Sequence, residues 1–155
     1  MSSKQISITE INHLKELYET NYITWLEETI KLLKTCQLDK LDYENLIEEL
    51  EDLSKREKRR LRSLLEQIIR HLLMAQYWES ERTNNYYHWL AEIVSFRNQL
   101  NEDLTTNLYQ YLQGNLPIIY SHAVDYVKLK ANLTTLPDTC PYTLENLIDK
   151  NWLPK

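Results

Sequence analysis

The sequence predicts an all-α protein, a compact bundle of five or six helices around a long central antiparallel helical hairpin. The chain has one glycine and four prolines among 155 residues, so it has few residues that make tight turns. Leucine, glutamate, lysine and glutamine, which lose little freedom in helices, are abundant. Apolar residues recur at spacings of three and four, the period of one helix face. The length favours a single domain, 1–155.

Two helices are predicted before residue 37. The first covers residues 8–18, and Asn21 can cap a second that runs over 22–36. The apolar residues of the second helix follow the 3, 4, 3 spacing of a buried face. They are Ile23, Leu26, Ile30 and Leu33.

A long third helix forms the first arm of the predicted hairpin. Asp42 can cap it, and no proline or glycine interrupts it before Trp78, although Ser54 could mark a bend. The polar segment 79–85 is the predicted break, after which a fourth helix folds back antiparallel. The apolar face of that helix comprises Tyr86, Trp89, Leu90, Ile93, Phe96, Leu100 and Leu104.

The C-terminal part is predicted to contain further helices. Gly114 marks a helix end in the left-handed conformation. Asn115 then caps the next helix, and Pro117 falls in its first turn, where a missing N–H is harmless. The segment 132–142 is a predicted loop, and Thr143 caps a last short helix.

Composition and charge argue against several function classes. The net charge of −5 opposes a general affinity for nucleic acid or anionic lipid. No segment approaches the roughly 20 apolar residues that span a bilayer, and the N-terminus lacks the apolar core of a signal peptide. We therefore expect a cytoplasmic protein that does not enter the membrane. A single glycine leaves no Gly-rich phosphate loop.

Cysteines and histidines give little reason to expect a metal or a cofactor. Cys36 and Cys140 lack the spacing of a metal site, so we expect two reduced thiols. Only one Glu-x-x-His motif occurs, at Glu10 and His13, whereas metal sites in bundles use two. Convergence of three histidines from different predicted helices is the alternative that would bind zinc. The histidines are His13, His71, His88 and His122.

Four strings resemble, in order and spacing, the bacterial family called domain of unknown function 29, which is abundant in cyanobacteria. They are LYETNYITWLEE at 17–28, LDYENLIEELEDLSKREKRRL at 41–61, LPIIYSHA at 116–123 and LPDTCPYTLENLID at 136–149. The resemblance implies an all-helical, stand-alone bacterial protein, and it implies no activity. Residues that match the family pattern are Glu48, Glu49, Glu51, Asp52, Arg56, Glu57 and His71, whereas Ser54, Met74 and Ala75 depart from it.

The third helix has an acidic stretch followed by a basic segment at 55–62. One interpretation is a phosphate-binding patch. The alternative is helix stabilisation, because Glu51 precedes Lys55 and Asp52 precedes Arg56 by four residues, the favourable order for ion pairs. The basic residues also wrap around most of the helix instead of forming one stripe. Nucleic-acid binding is therefore the third-ranked function.

Glu57 is the residue that folding explains least. It falls in the middle of the predicted apolar stripe of the third helix, and His71 lies at the edge of that stripe. A buried carboxylate costs several kcal/mol unless it is paired. Arg97 would be about 12 Å away along the helix, so we expect a partner from the N-terminal or C-terminal helices. The stripe comprises Leu46, Leu50, Leu53, Leu61, Leu64, Ile68, Leu72 and Ala75.

The favoured function is a non-enzymatic helical interaction module with a protein partner or a second copy of the chain. The candidate surfaces are the charged third helix and the hairpin end, where aromatic residues could form an exposed apolar patch: Tyr77, Trp78, Tyr86, Tyr87 and Trp89. The alternative is a small enzyme or metal-binding protein centred on Glu57 and His71, with no catalytic residue assigned. The candidate binding residues are Glu48, Asp52, Arg56, Glu57, His71 and Trp78.

Overall fold

The computed structural model describes residues 3–155, with the side chains of residues 3, 4 and 6 left out of the description. Within that range the chain forms six α-helices and a 3₁₀ turn, and it forms no strand, which confirms the all-α class. The helices are α1 (Ser3–Thr20), α2 (Tyr22–Lys34), α3 (Tyr43–Tyr77), α4 (Glu79–Asp103), α5 (Thr106–Ala131) and α6 (Leu144–Ile148), and the 3₁₀ turn covers Leu38–Lys40.

The chain divides into two compact units, Met1–Lys55 and Arg56–Lys155, and the boundary falls inside α3. We call them the N-terminal unit and the C-terminal unit. Helix α3 itself is unbroken, so Ser54 does not interrupt it. A single domain over 1–155 stays a prediction.

The caps of the N-terminal unit follow the sequence signals. The Asn21 side chain accepts a hydrogen bond from the backbone N–H of Thr24 at 3.2 Å, so it caps α2 as predicted. Asp42 accepts from the backbone N–H of Asn45 at 3.4 Å at the start of α3. Each cap satisfies an N–H that the first turn of a helix leaves without a partner.

The predicted antiparallel hairpin lies in the C-terminal unit. Its arms are α4 and the part of α3 from Arg56 onward. The two arms are antiparallel, because residues with higher numbers in α4 contact residues with lower numbers in the other arm. The pairs are Trp78 with Trp89, His71 with Phe96, and Arg60 with Asp103.

Helix α5 runs parallel to α3. Lys58 lies over the ring of Tyr111 at 5.3 Å, and Arg70 lies over the ring of Tyr126 at 3.8 Å, so residue numbers rise together along the two helices. The core of the unit is an apolar cluster from α3, α4, α5, α6 and the loop before α6. The fully buried members include Leu61, Leu65, Ile68, Leu72, Leu100, Leu112, Ala123 and Leu147.

The predicted break at residues 79–85 is wrong, because these residues are helical. Only Trp78 separates α3 from α4, with φ −91° and ψ 71°. The acidic residues Glu79 and Glu81 occupy the first turn of α4, where carboxylates are favourable. Arg82 donates hydrogen bonds to the carbonyls of Ala75 and Gln76, which the end of α3 leaves without helical partners.

The predicted helix end at Gly114 is also wrong, and so are the cap at Asn115 and the first-turn position of Pro117. Helix α5 continues through all three residues. Its buried face persists on both sides of them, for example at Leu112 and Leu116. Burying that face outweighs the roughly 1 kcal/mol by which an interior glycine disfavours a helix.

Gly114 gives the first testable prediction. It is exposed and helical, and a Cβ atom added there would have no neighbour within 4 Å. Gly114→Ala should therefore stabilise the protein by about 0.5–1 kcal/mol, because alanine has less freedom to lose on folding. Thermal unfolding followed by circular dichroism should show a melting temperature higher by a few degrees. A lower melting temperature would contradict the position of Gly114 inside α5.

The last elements agree with prediction. The segment 132–142 is a loop, and Thr143 caps α6 with a reciprocal hydrogen-bond pair to Asn146. Asn132, with φ 52°, ends α5 in the left-handed conformation that sequence reasoning had assigned to Gly114.

Arg97 holds the end of the chain against α4. Its side chain is 1% exposed and donates to the carbonyls of Leu147 at 2.8 Å, Trp152 at 2.8 Å and Asn146 at 3.1 Å. Burial lowers the pKa of the guanidinium. Three of its five N–H groups donate to these carbonyls. Glu57 pairs with Arg60 instead, so the sequence prediction that Arg97 and Glu57 do not pair is confirmed.

Candidate interaction surface

Five of the predicted binding residues lie on α3, two in the N-terminal unit and three in the C-terminal unit, and Trp78 follows the end of α3. Glu48 and Asp52 are exposed side chains of the N-terminal unit, one helical turn apart. Asp52 forms an ion pair with Lys55 at 3.8 Å. Arg56 begins the C-terminal unit and is also exposed. These residues are surface charges on successive turns.

The prediction of a buried Glu57 is wrong. Its side chain is 42% exposed, and its partner is Arg60, one turn further along α3, at 3.5 Å. The apolar stripe that predicted burial is buried from Leu61 onward, whereas Leu50 and Leu53 before it are exposed. The predicted partner from the N-terminal or C-terminal helices is therefore replaced by a local surface pair.

Because Glu57 is at the surface, we expect that neutralising it changes the free energy of unfolding little. Exposed ion pairs contribute little to stability, because water solvates both charges in either state. Glu57→Gln should leave the midpoint of urea unfolding close to that of the wild type. A large drop in the midpoint would show that the carboxylate has a buried role that this geometry does not give it.

His71 is a half-buried residue of the hairpin. Its Nδ1 lies 2.7 Å from the carbonyl oxygen of Gln67, and its ring lies against Phe96 at 5.4 Å. Burial lowers the pKa of the imidazole, which favours its neutral form. Fourteen residues separate His71 from Glu57, or about 21 Å along a helix. The two side chains therefore do not share a catalytic centre.

The basic segment of α3 is partly neutralised by its neighbours. Within the C-terminal unit, Arg60 forms ion pairs with Glu57 and Asp103. Lys58 stacks over Tyr111. These partners lie in different directions from the helix axis, which agrees with basic residues spread around the helix.

The aromatic residues at the hairpin end are mostly packed inward. Trp78 stacks on Trp89 with ring centroids 5.8 Å apart, and Trp89 is buried. Tyr77 and Tyr86 are partly buried against the core. Of this set, Tyr87 is the exposed member, at 84%. Trp78 therefore packs against Trp89 and is partly exposed.

Sequence reasoning missed a surface on the first turns of α3. Tyr43, Ile47 and Leu50 are 50%, 53% and 58% exposed, and they follow one another at helical spacing on one face. Leu53 continues this face and is also exposed. We call these four residues the α3 apolar face. The burial predicted for Leu50 and Leu53 is wrong, because no described element of the N-terminal unit covers them.

Two carboxylates of α3 contact α1 and α2. Glu49 accepts hydrogen bonds from the hydroxyls of Tyr18 at 2.8 Å and Tyr22 at 2.7 Å, and Glu44 pairs with Lys15 at 2.8 Å. The hydrogen bond to Glu49 raises the pKa of Tyr18 to about 12. The partly buried residues of these turns are Asn45, Leu46 and Glu49, so α1 and α2 lie on the side of α3 that these three share.

The usual amphipathic arrangement is only partly kept in this unit. A surface helix normally turns its apolar side toward its own domain and its charged side to water. Here Leu46 is partly covered, but the four residues of the α3 apolar face are exposed. A contiguous exposed apolar face of this kind marks an interaction surface more often than a feature of a monomer.

A second apolar face is exposed on α2. Ile23, Ile30 and Leu33, which the sequence placed in a buried face, are 62%, 48% and 44% exposed. The buried residues of α2 are Trp25 and Thr29. Trp25 packs against the rings of Tyr18 and Tyr22, so aromatic contacts decide which side of α2 faces inward.

The part of the chain that the structure describes shows two further facts about function. Over residues 3–155, no three His, Cys, Asp or Glu side chains lie close enough together to share a metal ion. None of the helices in that range has the length and apolar content that crossing a bilayer requires.

The comparisons with known proteins place this all-helical protein in a family. The model of the family described as domain of unknown function DUF29 matches residues 17–153. The chain therefore belongs to the DUF29 family, as its four strings indicated. No curated protein and no solved structure matches the chain.

Proposed function

We propose that the chain is a non-enzymatic interaction module, and that the α3 apolar face binds a basic amphipathic helix of a partner protein. The observation that carries the proposal is the exposure of the α3 apolar face in the N-terminal unit. Tyr43, Ile47 and Leu50 are exposed while Glu44 and Glu49 bind α1 and α2. Covering the apolar face would remove a standing cost of exposure to water.

The shape of the surface favours a helical partner. The α3 apolar face has residues at positions i, i+4, i+7 and i+10, which is the pattern that one helix presents to another. Side chains of a partner helix at matching spacing would pack between these residues. The exposed face of α2 offers further apolar contact area in the same unit.

The charge of the surface favours a basic partner. Residues 43–53 contain five carboxylates and no lysine or arginine. Residues 1–55 as a whole contain twelve acidic and six basic residues. Complementary charge steers association, whereas like charges that face each other cost free energy. A second copy docked through the same residues would oppose carboxylates with carboxylates, so we favour a different, basic protein.

Binding of designed peptides tests the proposal. The probe is a fluorescent amphipathic helix of leucine and lysine, and the matched control replaces every lysine with glutamate. Fluorescence anisotropy with the full chain should show saturable binding of the lysine peptide that weakens as salt rises. It should show no binding of the glutamate peptide. Equal affinity for both peptides would contradict the charge argument, and binding of neither would contradict the proposal. Sedimentation of the chain without peptide shows whether a second copy of the chain binds in place of a partner.

The two other function classes have less support. An enzyme centred on Glu57 and His71 would need them together, and they lie on turns of α3 about 21 Å apart. Nucleic-acid binding would need one continuous positive face, and the basic side chains of α3 point in several directions and meet Glu57, Asp103 and Tyr111.

A further inference from the structure

A cavity of about 340 Å³ lies in the C-terminal unit, between α5 and the loop before α6. Its inner surface includes Leu116, Tyr120 and Tyr142, all of them buried. Gln113 and Asp138 stand at its exposed rim. Its walls come from two of the strings by which the family resemblance was identified. The volume is at the small end of the range for ligand sites and suits one side chain or a small molecule.

The polar groups at the floor of the cavity are already paired. The Tyr120 hydroxyl donates to the carbonyl of Pro137 at 2.6 Å, and the Tyr142 hydroxyl donates to Oε1 of Gln76. The Cys140 thiol donates to the backbone carbonyl of Tyr142 at 3.3 Å. The floor therefore offers a ligand aromatic and aliphatic surface, and these groups have no donor left for an anion.

The rim supplies a negative charge. Asp138 is exposed, and within residues 3–155 its carboxylate has no hydrogen bond or ion pair. Both of its oxygens are therefore open to a bidentate donor. Carboxylate oxygens match the parallel N–H groups of a guanidinium or amidinium in geometry and charge.

We propose that this cavity binds a planar organic cation, a guanidinium or an amidinium, with its body in the cavity beside Tyr120 and Tyr142 and its N–H groups on Asp138. The cation can be an arginine side chain of a partner or a small free molecule. The site lies in the C-terminal unit, so it is independent of the α3 apolar face. The proposed function does not involve this cavity.

Titration followed by amide NMR of the full chain tests this proposal. The probes are benzamidine and N-acetyl-argininamide, and benzamide is the neutral isostere of the first. Benzamidine should shift the amide signals of Thr139 and Cys140 in a saturable way and leave that of the exposed Cys36 unchanged. Benzamide should bind at least tenfold more weakly. Binding of N-acetyl-argininamide to the same signals would indicate an arginine side chain, and binding of benzamidine alone would indicate a small molecule.

The matched variant is Asp138→Asn, which keeps the size of the side chain and removes its charge. Because Asp138 is exposed, the variant should fold and give the unliganded spectrum of the wild type outside residues 137–140. It should bind benzamidine at least tenfold more weakly. Wild-type affinity in this variant, equal affinity for benzamide, or the absence of saturable shifts with both cations would overturn the proposal.

Discussion

Arg97→Ala should destabilise the protein by about 3–5 kcal/mol. Arg97 is 1% exposed, and its three hydrogen bonds fix the carbonyls of Asn146, Leu147 and Trp152 at the end of α6 and beyond it. Hydrogen bonds from a charged donor contribute about 1.5–3 kcal/mol each, and buried carbonyls left without a donor bear a desolvation cost. Urea unfolding should show a lower midpoint at a similar slope.

The control for Arg97 is a lysine at the same position. Arg97→Lys keeps the positive charge but loses the planar fork that reaches three carbonyls at once. The free energy of unfolding of this variant should lie between that of the wild type and that of the alanine variant, and it should differ measurably from the wild type. Hydrogen exchange should speed up first in residues 144–152 in both variants, because Arg97 anchors that segment. Wild-type stability of the alanine variant would show that Arg97 does not hold α6 in place.

Leu50→Lys should abolish or weaken at least tenfold the binding of the leucine–lysine helix. Leu50 is 58% exposed and lies in the α3 apolar face between Ile47 and Leu53. The substitution removes an apolar contact and places a positive charge opposite a basic partner, so two effects act in the same direction. A tenfold loss of affinity corresponds to about 1.4 kcal/mol. Fluorescence anisotropy with the labelled peptide measures it.

The matched control for this variant is Val94→Lys in α4. Val94 is also apolar and is 50% exposed, but it belongs to the C-terminal unit. The same change in total charge should leave the affinity of the peptide within about twofold. Equal losses in both variants would mean that net charge governs binding, without a defined surface. Both proteins should unfold at similar urea concentrations, because each substitution is at an exposed position.

Local signals in the sequence predicted the helices and their caps well. Asn21, Asp42 and Thr143 each cap the helix that follows, because the side-chain oxygen and the unpaired N–H are neighbours in sequence. The loop at 132–142 contains two prolines and was correctly predicted. These features depend on interactions within a few residues, which sequence patterns record directly.

Features that depend on tertiary packing were less predictable. Gly114 and Pro117 suggested a helix boundary, but the buried face of α5 holds the helix together through both. The contacts of Arg97 join residues about 50 positions apart, and no spacing rule reveals them. A sequence can show that Arg97 is on an apolar stripe without showing which carbonyls it reaches.

The candidate surface was hidden for a related reason. Periodicity identifies the apolar side of α3, and it carries no information about which stretch of that side other helices cover. The stripe is buried from Leu61 to Ala75 and exposed at Leu50 and Leu53. Glu57, in the middle of the stripe, therefore lies at the surface beside Arg60.

The proposed binding of a basic amphipathic helix to the α3 apolar face can be tested over the whole chain. The most direct measurement is a map of amide chemical-shift changes over the whole chain during titration with the leucine–lysine peptide. We expect the largest changes within residues 43–53, and we expect them to disappear in Leu50→Lys. Largest changes in the C-terminal unit, or a map that is the same in wild type and variant, would contradict it.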